Sequence, residues 1–174
     1  MTALAGPFAI AAALLALGGA AKAVQPSDTA GALHTLGLPG SRFLVRAGGI
    51  AELVIGISAL VYGTRVFAVL VAASYAGFVA FVALALRRGA PISSCGCFGK
   101  ADTPPSVTHI VVNSAAALAA VGVAIDPVGG IADVAADQPL LGLPFLVLVA
   151  AGVYLTFLVL TLLPRTLAAL PNRR

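Results

Sequence analysis

The stretch VFAVLVAASYAGFVAFVALAL, residues 66–86, contains no charged side chain. A helix needs about 20 mostly apolar residues to cross the hydrocarbon core of a bilayer, because each residue adds only about 1.5 Å to its length. Lipid offers the backbone no hydrogen-bond partner, so a run of this kind must pair its own backbone groups as an α-helix. The stretch therefore predicts a transmembrane helix.

Four further runs meet the same criterion, and they cover residues 3–24, 43–62, 107–125 and 140–163. The runs are rich in Gly and Ala, which allow helices in a membrane to pack closely. We therefore predict an all-α fold, in which residues 1–174 form a single integral membrane helical bundle of about five transmembrane helices.

Three connections between the runs have distinct compositions. Residues 25–42 are predicted to be a polar loop with two Pro-containing turns, and residues 62–65 a tight reversal. Residues 126–139 are predicted to be a flexible, acidic linker. The segment 91–104 contains both cysteines of the chain and lies between the third and fourth runs.

The composition also favours a membrane location. Hydrophobic residues make up 60% of the chain and charged residues 9%, whereas soluble domains carry about 25% charged residues. So few charges cannot cover the surface of a soluble protein. The net charge of +4 does not indicate a nucleic-acid partner, because the basic residues cluster at the ends of the apolar runs. The expected location is the cell membrane, with several spans.

Basic residues are distributed unevenly between the two faces of such a bundle. Five spans place the first loop, the cysteine segment and the C-terminal tail on one face. That face carries nine basic residues, and the opposite face carries only Arg65. The nine are Lys22, Arg42, Arg46, Arg87, Arg88, Lys100, Arg165, Arg173 and Arg174. The positive-inside rule therefore predicts that segment 91–104 faces the cytoplasm.

The two cysteines, Cys95 and Cys97, flank Gly96. Consecutive Cα atoms are about 3.8 Å apart, so residues two apart fall within or near the roughly 4.4–6.8 Å that a disulfide requires. Closing so small a ring needs a bend, which glycine tolerates. A strained disulfide is easily reduced and suited to exchange. The pair is therefore interpreted as a redox couple, and a thiol–disulfide oxidoreductase is the candidate enzyme activity.

The residues around the cysteines fit this interpretation. Arg87, Arg88 and Lys100 bring positive charge near the thiols, which favours the reactive thiolate. Gly96, Phe98 and Gly99 are predicted to shape the loop, with the Phe98 ring packed against the bundle.

Two other interpretations of the cysteines stay open. They are buried small residues, or they are half of a thiolate metal site with His109 as a further ligand. A closed zinc site needs four ligands and the chain has no third cysteine, so no metal site is predicted.

Several polar residues lie inside the predicted spans. Glu52 is near the middle of the second span, where an ionisable group needs a partner inside the bundle. Lys22 is the expected partner, because Arg46 lies on the same helix and is poorly placed to reach Glu52. Gly48 and Gly56 are predicted to bring a neighbouring backbone close. The pair either fixes helix packing or handles protons for the thiol chemistry.

Two polar residues begin the fourth span. His109 and Asn113 are four residues apart, so they share one face of a helix. His109 follows Cys97 by 12 residues and is a candidate to accept a proton from a cysteine, because histidine exchanges protons near neutral pH. The alternative is a histidine that is simply hydrogen-bonded at the membrane interface. Tyr75 in the third span is expected to donate a hydrogen bond inside the bundle.

Three stretches resemble the MauE branch of the DoxX-like membrane proteins. They are CGCFG (95–99), GGAAKAVQP (18–26) and AELVIGISAL (51–60). The resemblance covers most of the first 120 residues and implies that four of the five helices form a DoxX-like core. Many members carry an arginine directly before the asparagine near the start of the fourth helix, whereas here Val112 precedes Asn113.

The resemblance also implies a function. The family is associated with maturation of methylamine dehydrogenase, a disulfide-rich client, together with a thioredoxin-like partner outside the cytoplasm. Cys95 and Cys97 would then be the redox pair, on the side of the membrane opposite to that predicted from the basic residues. A quinone is the candidate electron acceptor, as in other membrane thiol oxidases. The competing hypotheses are a non-catalytic membrane assembly scaffold and a small transporter or metal handler.

Overall fold

The computed structural model describes residues 3–89, 104–163 and 166, and these residues are helical with no β-strand. Five helices are long and apolar enough to span a membrane. They are α1 (Ala5–Val24), α3 (Arg42–Tyr62), α4 (Arg65–Arg87), α5 (Val107–Ile125) and α7 (Leu143–Thr161). Between them lie two short helices, α2 (Ser27–Thr35) and α6 (Ile131–Ala136), and a 3-10 turn at Pro139–Gly142. The predicted all-α bundle of five spans is confirmed.

The outside of the bundle is apolar. Large side chains such as Phe43, Leu118 and Leu148 are 78%, 71% and 69% exposed. Soluble proteins rarely expose contiguous apolar patches of more than a few hundred Å², whereas lipid is a good solvent for such a surface. The chain is therefore a multi-pass membrane protein.

Helix α1 lies at the centre of the bundle. In its most apolar stretch 56% of the residues are buried, against 11% for α7. The main core cluster is built by four helices, α1, α3, α4 and α5, through residues such as Leu15, Ala59, Val71 and Val123. Helix α7 packs at the edge of this core, mainly against α1. The predicted division into four core helices and one further span agrees with this arrangement.

The first connection contains a helix that we did not predict. Residues 25–42 were expected to be a loop, but α2 occupies the middle of this stretch. Tertiary contacts explain the difference, because Ala32 and Leu36 are buried against Ala85 of α4. The helix ends at Thr35 and is followed by Gly37, whose φ of +67° is the left-handed conformation that glycine adopts just beyond helix ends.

The fourth connection is also more regular than predicted. Within the acidic linker 126–139, α6 begins where Asp133 Oδ2 accepts a hydrogen bond from the Gly130 backbone at 3.0 Å. The reversal between α3 and α4 turns at Gly63, with a φ of +54°. A Cβ atom at Gly63 would lie 1.6 Å from the Gly129 carbonyl oxygen, so only glycine fits there. The two connections therefore pack together at one end of the bundle.

Three arginines bind the C-terminal ends of neighbouring helices. Arg46 Nε donates to Ala23 O at 3.0 Å, Arg65 Nη2 donates to Ile125 O at 3.3 Å, and Arg88 donates to Leu36 O. The last carbonyls of a helix lack backbone partners and carry partial negative charge. These arginines therefore stabilise the ends of α1, α5 and α2.

Candidate functional site

Helices α1 and α3 approach each other through glycine. A Cβ atom at Gly49 would lie 2.7 Å from Gly19 O, and one at Gly56 would lie 2.6 Å from Ala12 O. Such distances leave no room for a side chain, so the two backbones touch. The prediction for Gly56 is confirmed. The prediction for Gly48 is wrong, because nothing lies within 4 Å of a Cβ atom there and Gly49 makes the contact instead.

This close approach brings Lys22 of α1 beside Glu52 of α3. Lys22 Nζ forms an ion pair with Glu52 Oε2, as the sequence predicts, and the two side chains are 8% and 18% exposed. Lys22 Nζ also lies 4.3 Å from the centre of the Phe78 ring, a cation–π contact. The ammonium group therefore has a carboxylate and an aromatic face as partners inside the bundle.

Arg46 lies elsewhere. Its side chain is exposed, and its bond to Ala23 O holds it at the end of α1 rather than in the bundle interior. An α-helix completes one turn every 3.6 residues. Arg46 and Glu52 are six residues apart, so their side chains point in different directions from α3. Arg46 is thus a helix-end residue, in contrast to the other polar residues predicted for the spans.

The first turns of α5 place two polar side chains in the interior. His109 is 2% exposed, and Asn113 is 5% exposed. Ser106 Oγ lies 2.9 Å from His109 Nδ1, which fixes the orientation of the imidazole. Asn113 Nδ2 is buried and has no hydrogen-bond partner among the residues that the structure describes. An unpaired buried donor of this kind costs about 1–3 kcal/mol.

Helix α4 adds a fifth polar side chain. Tyr75 is 5% exposed, and its hydroxyl donates to Ala11 O at 2.8 Å, a hydrogen bond inside the bundle as predicted. Its ring packs edge-to-face on Phe78, with 5.6 Å between ring centres. Phe78 was not predicted from the sequence, although its position three residues after Tyr75 places both on one helix face. We call Lys22, Glu52, Tyr75, His109 and Asn113 the polar cluster.

All five residues of the polar cluster line one cavity of about 440 Å³. The cavity follows α1, α5 and α7, and its walls are otherwise mainly aliphatic and aromatic. The sequence points to these residues separately. It does not reveal that they share a cavity, because the cavity arises from the packing of α7 beside α1 and α5. Its volume falls within the range of roughly 300–1,000 Å³ that is usual for small-molecule sites.

The central residues of the predicted redox segment lie outside the part of the chain that the structure describes. They are Cys95, Gly96, Cys97, Phe98 and Gly99. Within residues 3–89, 104–163 and 166, no group of three or more His, Cys, Asp or Glu side chains is arranged to hold a metal ion.

The fold and the cavity define a multi-pass helical membrane protein with a polar cluster inside its bundle. Comparison with known families shows that the chain belongs to the MauE family. The family model described as "Methylamine utilisation protein MauE" matches residues 1–126. The matched part contains α1 to α5, both cysteines and the whole polar cluster, and it ends before α6. No curated protein sequence and no solved structure matches the chain.

Proposed function

We propose that this chain is a membrane thiol–disulfide redox protein that supports disulfide formation in an extracytoplasmic client, with a thioredoxin-like protein as its direct partner. One observation carries the proposal: the family match over residues 1–126 includes Cys95, Cys97 and the polar cluster. Membership in this family implies an accessory role in methylamine utilisation, for which methylamine dehydrogenase is the corresponding client.

The proposed exchange balances within the cysteine pair and its partner. A thiolate of the reduced partner attacks the Cys95–Cys97 disulfide, a mixed disulfide forms, and the displaced cysteine leaves as a thiolate. The partner's second thiol then resolves the mixed disulfide. The partner ends with a disulfide and the chain with two thiols, so two electrons have passed to the chain. The partner's disulfide in turn oxidises two thiols of the client.

His109 is the described residue best placed to support this chemistry. It is the third residue of α5, the helix that follows the cysteine segment, and Ser106 holds its ring in one orientation. In the proposal His109 gives a proton to the cysteine thiolate that the partner displaces, and it accepts that proton when the cysteine thiol of the chain is the attacking group. Positioned proton acceptors of this kind contribute roughly 10²–10⁴-fold in rate.

Trapping with thioredoxin tests the exchange. The chain contains only two cysteines, so Cys95→Ser and Cys97→Ser each leave a single thiol, and the double variant leaves none. A thioredoxin that keeps only its attacking cysteine, activated as a mixed disulfide with thionitrobenzoate, is incubated with each purified single variant. The remaining thiolate of the chain should displace thionitrobenzoate and yield a disulfide-linked adduct in a non-reducing gel for at least one of them. The double variant has no thiol and is the negative control for adduct formation. Client maturation that persists in cells with the double variant would leave the assembly-scaffold hypothesis instead.

A pair of histidine variants tests the proton acceptor. His109→Ala should slow adduct formation by roughly 10²-fold near neutral pH. His34→Ala is the matched control, because His34 is exposed on α2 and outside the polar cluster. Adding imidazole should restore part of the rate to His109→Ala. Equal rates for the two variants would remove His109 from the mechanism and leave the cysteine pair in place.

The side of the membrane is tested separately. Oxidising compartments are where stable disulfides form, so the proposal places segment 91–104 outside the cytoplasm. Lys22, Arg46, Arg65 and Arg88 have partners within the fold, which supports leaving them out of the charge count. Six basic residues against none then remain, and these still favour the cytoplasmic side. Labelling of intact, reduced cells with a membrane-impermeant maleimide distinguishes the two sides of the membrane. Labelling that occurs only after permeabilisation would contradict the extracytoplasmic placement.

A further inference from the structure

The cavity has one polar end and one apolar end. Along α1 it is lined by a stripe that runs from Pro7 to Lys22, and Lys22 is the only charged residue of this stripe. Pro7 and Lys22 are 15 positions apart, which corresponds to about 22 Å at 1.5 Å per residue. His109 and Asn113 begin α5, so the direction of the helices places them at the same end as Lys22. The shape suits a molecule with a small polar head and a long apolar chain.

At the polar end one buried amide donor has no acceptor among the described residues. Asn113 lines the cavity, and its buried Nδ2 is without a hydrogen-bond partner in the part of the chain that the structure describes. Buried amide groups in folded proteins are almost always paired. A ligand oxygen that accepts from Asn113 would satisfy this donor.

The charges of the polar cluster select an uncharged head. Lys22 is already paired with Glu52 and stacked on Phe78, so its charge is compensated. A fatty acid or phospholipid head would bring a negative charge next to the Glu52 carboxylate with no free cation among the described lining residues to receive it. A neutral carbonyl oxygen can accept the hydrogen bond from Asn113, and it brings no negative charge next to Glu52.

We propose that this cavity binds an isoprenoid quinone, with a carbonyl oxygen of the ring accepting a hydrogen bond from Asn113 and the prenyl chain lying along α1. Quinones combine a flat, neutral ring that carries carbonyl acceptors with a long apolar tail. The redox role of this site rests on the proposed function. Oxidation of the Cys95 and Cys97 thiols to one disulfide releases two electrons and two protons, and reduction of a quinone to its quinol consumes the same number of each.

Binding is measured directly, without reference to thiol chemistry. Decylubiquinone, which has a benzoquinone ring and a saturated ten-carbon tail, is titrated by calorimetry into the purified full chain in detergent. The wild type and the Cys95→Ser/Cys97→Ser double variant should bind it equally. Failure of both to bind would overturn this inference and leave thiol exchange with thioredoxin intact. Binding without thioredoxin adducts would keep the site and remove the proposed function.

Variants locate the site. Asn113→Leu, which keeps the side-chain size but removes the donor, should weaken binding about tenfold, the value of one hydrogen bond. Ala116→Phe fills the cavity and should abolish binding. Ala51→Phe is the matched control, because Ala51 is exposed on α3 and does not line the cavity. Circular dichroism checks that each variant keeps its helix content. Unchanged affinity in both cavity variants, or a co-purified phospholipid that decylubiquinone cannot displace, would overturn the proposal.

Discussion

The glycine contact between α1 and α3 yields a prediction with a built-in control. In Gly49→Ala the new Cβ atom would lie 2.7 Å from Gly19 O, 2.8 Å from the Ala23 backbone nitrogen and 2.8 Å from Lys22 Cβ. Favourable carbon contacts are at about 3.5–4.0 Å. Since two of the three neighbours are backbone atoms, the helices must separate by several tenths of an ångström, and Lys22 moves with α1.

Substitution of the neighbouring residue, Gly48, is the control for the change in helix propensity that any Gly→Ala substitution brings. Alanine is favoured over glycine inside a helix by roughly 0.5–1 kcal/mol, and this gain applies at both positions. A Cβ atom at Gly48 meets nothing within 4 Å, so Gly48→Ala shows that gain alone. Overpacking costs about 1–3 kcal/mol. We therefore expect the free energy of unfolding of Gly49→Ala to lie about 1–3 kcal/mol below that of Gly48→Ala.

Unfolding in mixed micelles with an increasing fraction of dodecyl sulfate measures this difference. The chain has no tryptophan, so far-ultraviolet circular dichroism is the better probe. Equal free energies of unfolding for the two variants, or a more stable Gly49→Ala, would show that α1 and α3 do not touch along Gly49. The same result would undermine the placement of Lys22 beside Glu52, because both depend on this approach.

The same unfolding assay checks three further substitutions and one control. Tyr75→Phe should lose about 0.5–1.5 kcal/mol with its buried hydrogen bond, whereas Tyr154→Phe, at a position 62% exposed, should lose nothing measurable. Glu52→Gln should cost about 3–5 kcal/mol, because the ammonium of Lys22 would be left without its carboxylate; a cost near zero would mean that the pair is not formed. Asn113→Leu should instead stabilise the fold by about 1–3 kcal/mol, since it removes a buried donor that has no partner among the described residues.

The spans could be predicted from the sequence because their cause is local. A bilayer requires a minimum apolar length, and that length is visible in any window of the chain. The ion pair could also be predicted, because a carboxylate in the middle of a span needs a partner and Lys22 was the one suitable cation on another helix. In both cases a single physical requirement left few choices.

Other features depend on how helices are rotated about their axes. Consecutive helical residues differ by about 100°, so choosing Gly48 rather than Gly49 selects a different face of α3. The spacing of seven residues between Gly49 and Gly56, two helical turns, was the signal that would have identified the correct face. Helix α2 escaped prediction for a related reason, because its apolar side chains are satisfied by α4 and not by neighbours in the sequence.

The energetics of the polar cluster distinguish packing from ligand binding. Replacing a buried ion pair by apolar residues of similar size is often neutral or stabilising, so Lys22 and Glu52 are weak evidence for a purely structural role. Asn113 is stronger evidence against a purely structural role, because its amide has no partner in the described part of the chain and such a group costs stability that leucine would not. Residues that lower stability while lining a cavity are typical of binding sites, where stability is exchanged for function. Asn113→Leu should therefore raise the free energy of unfolding and weaken quinone binding together. If the variant is less stable and also binds quinone less tightly, the amide serves helix packing.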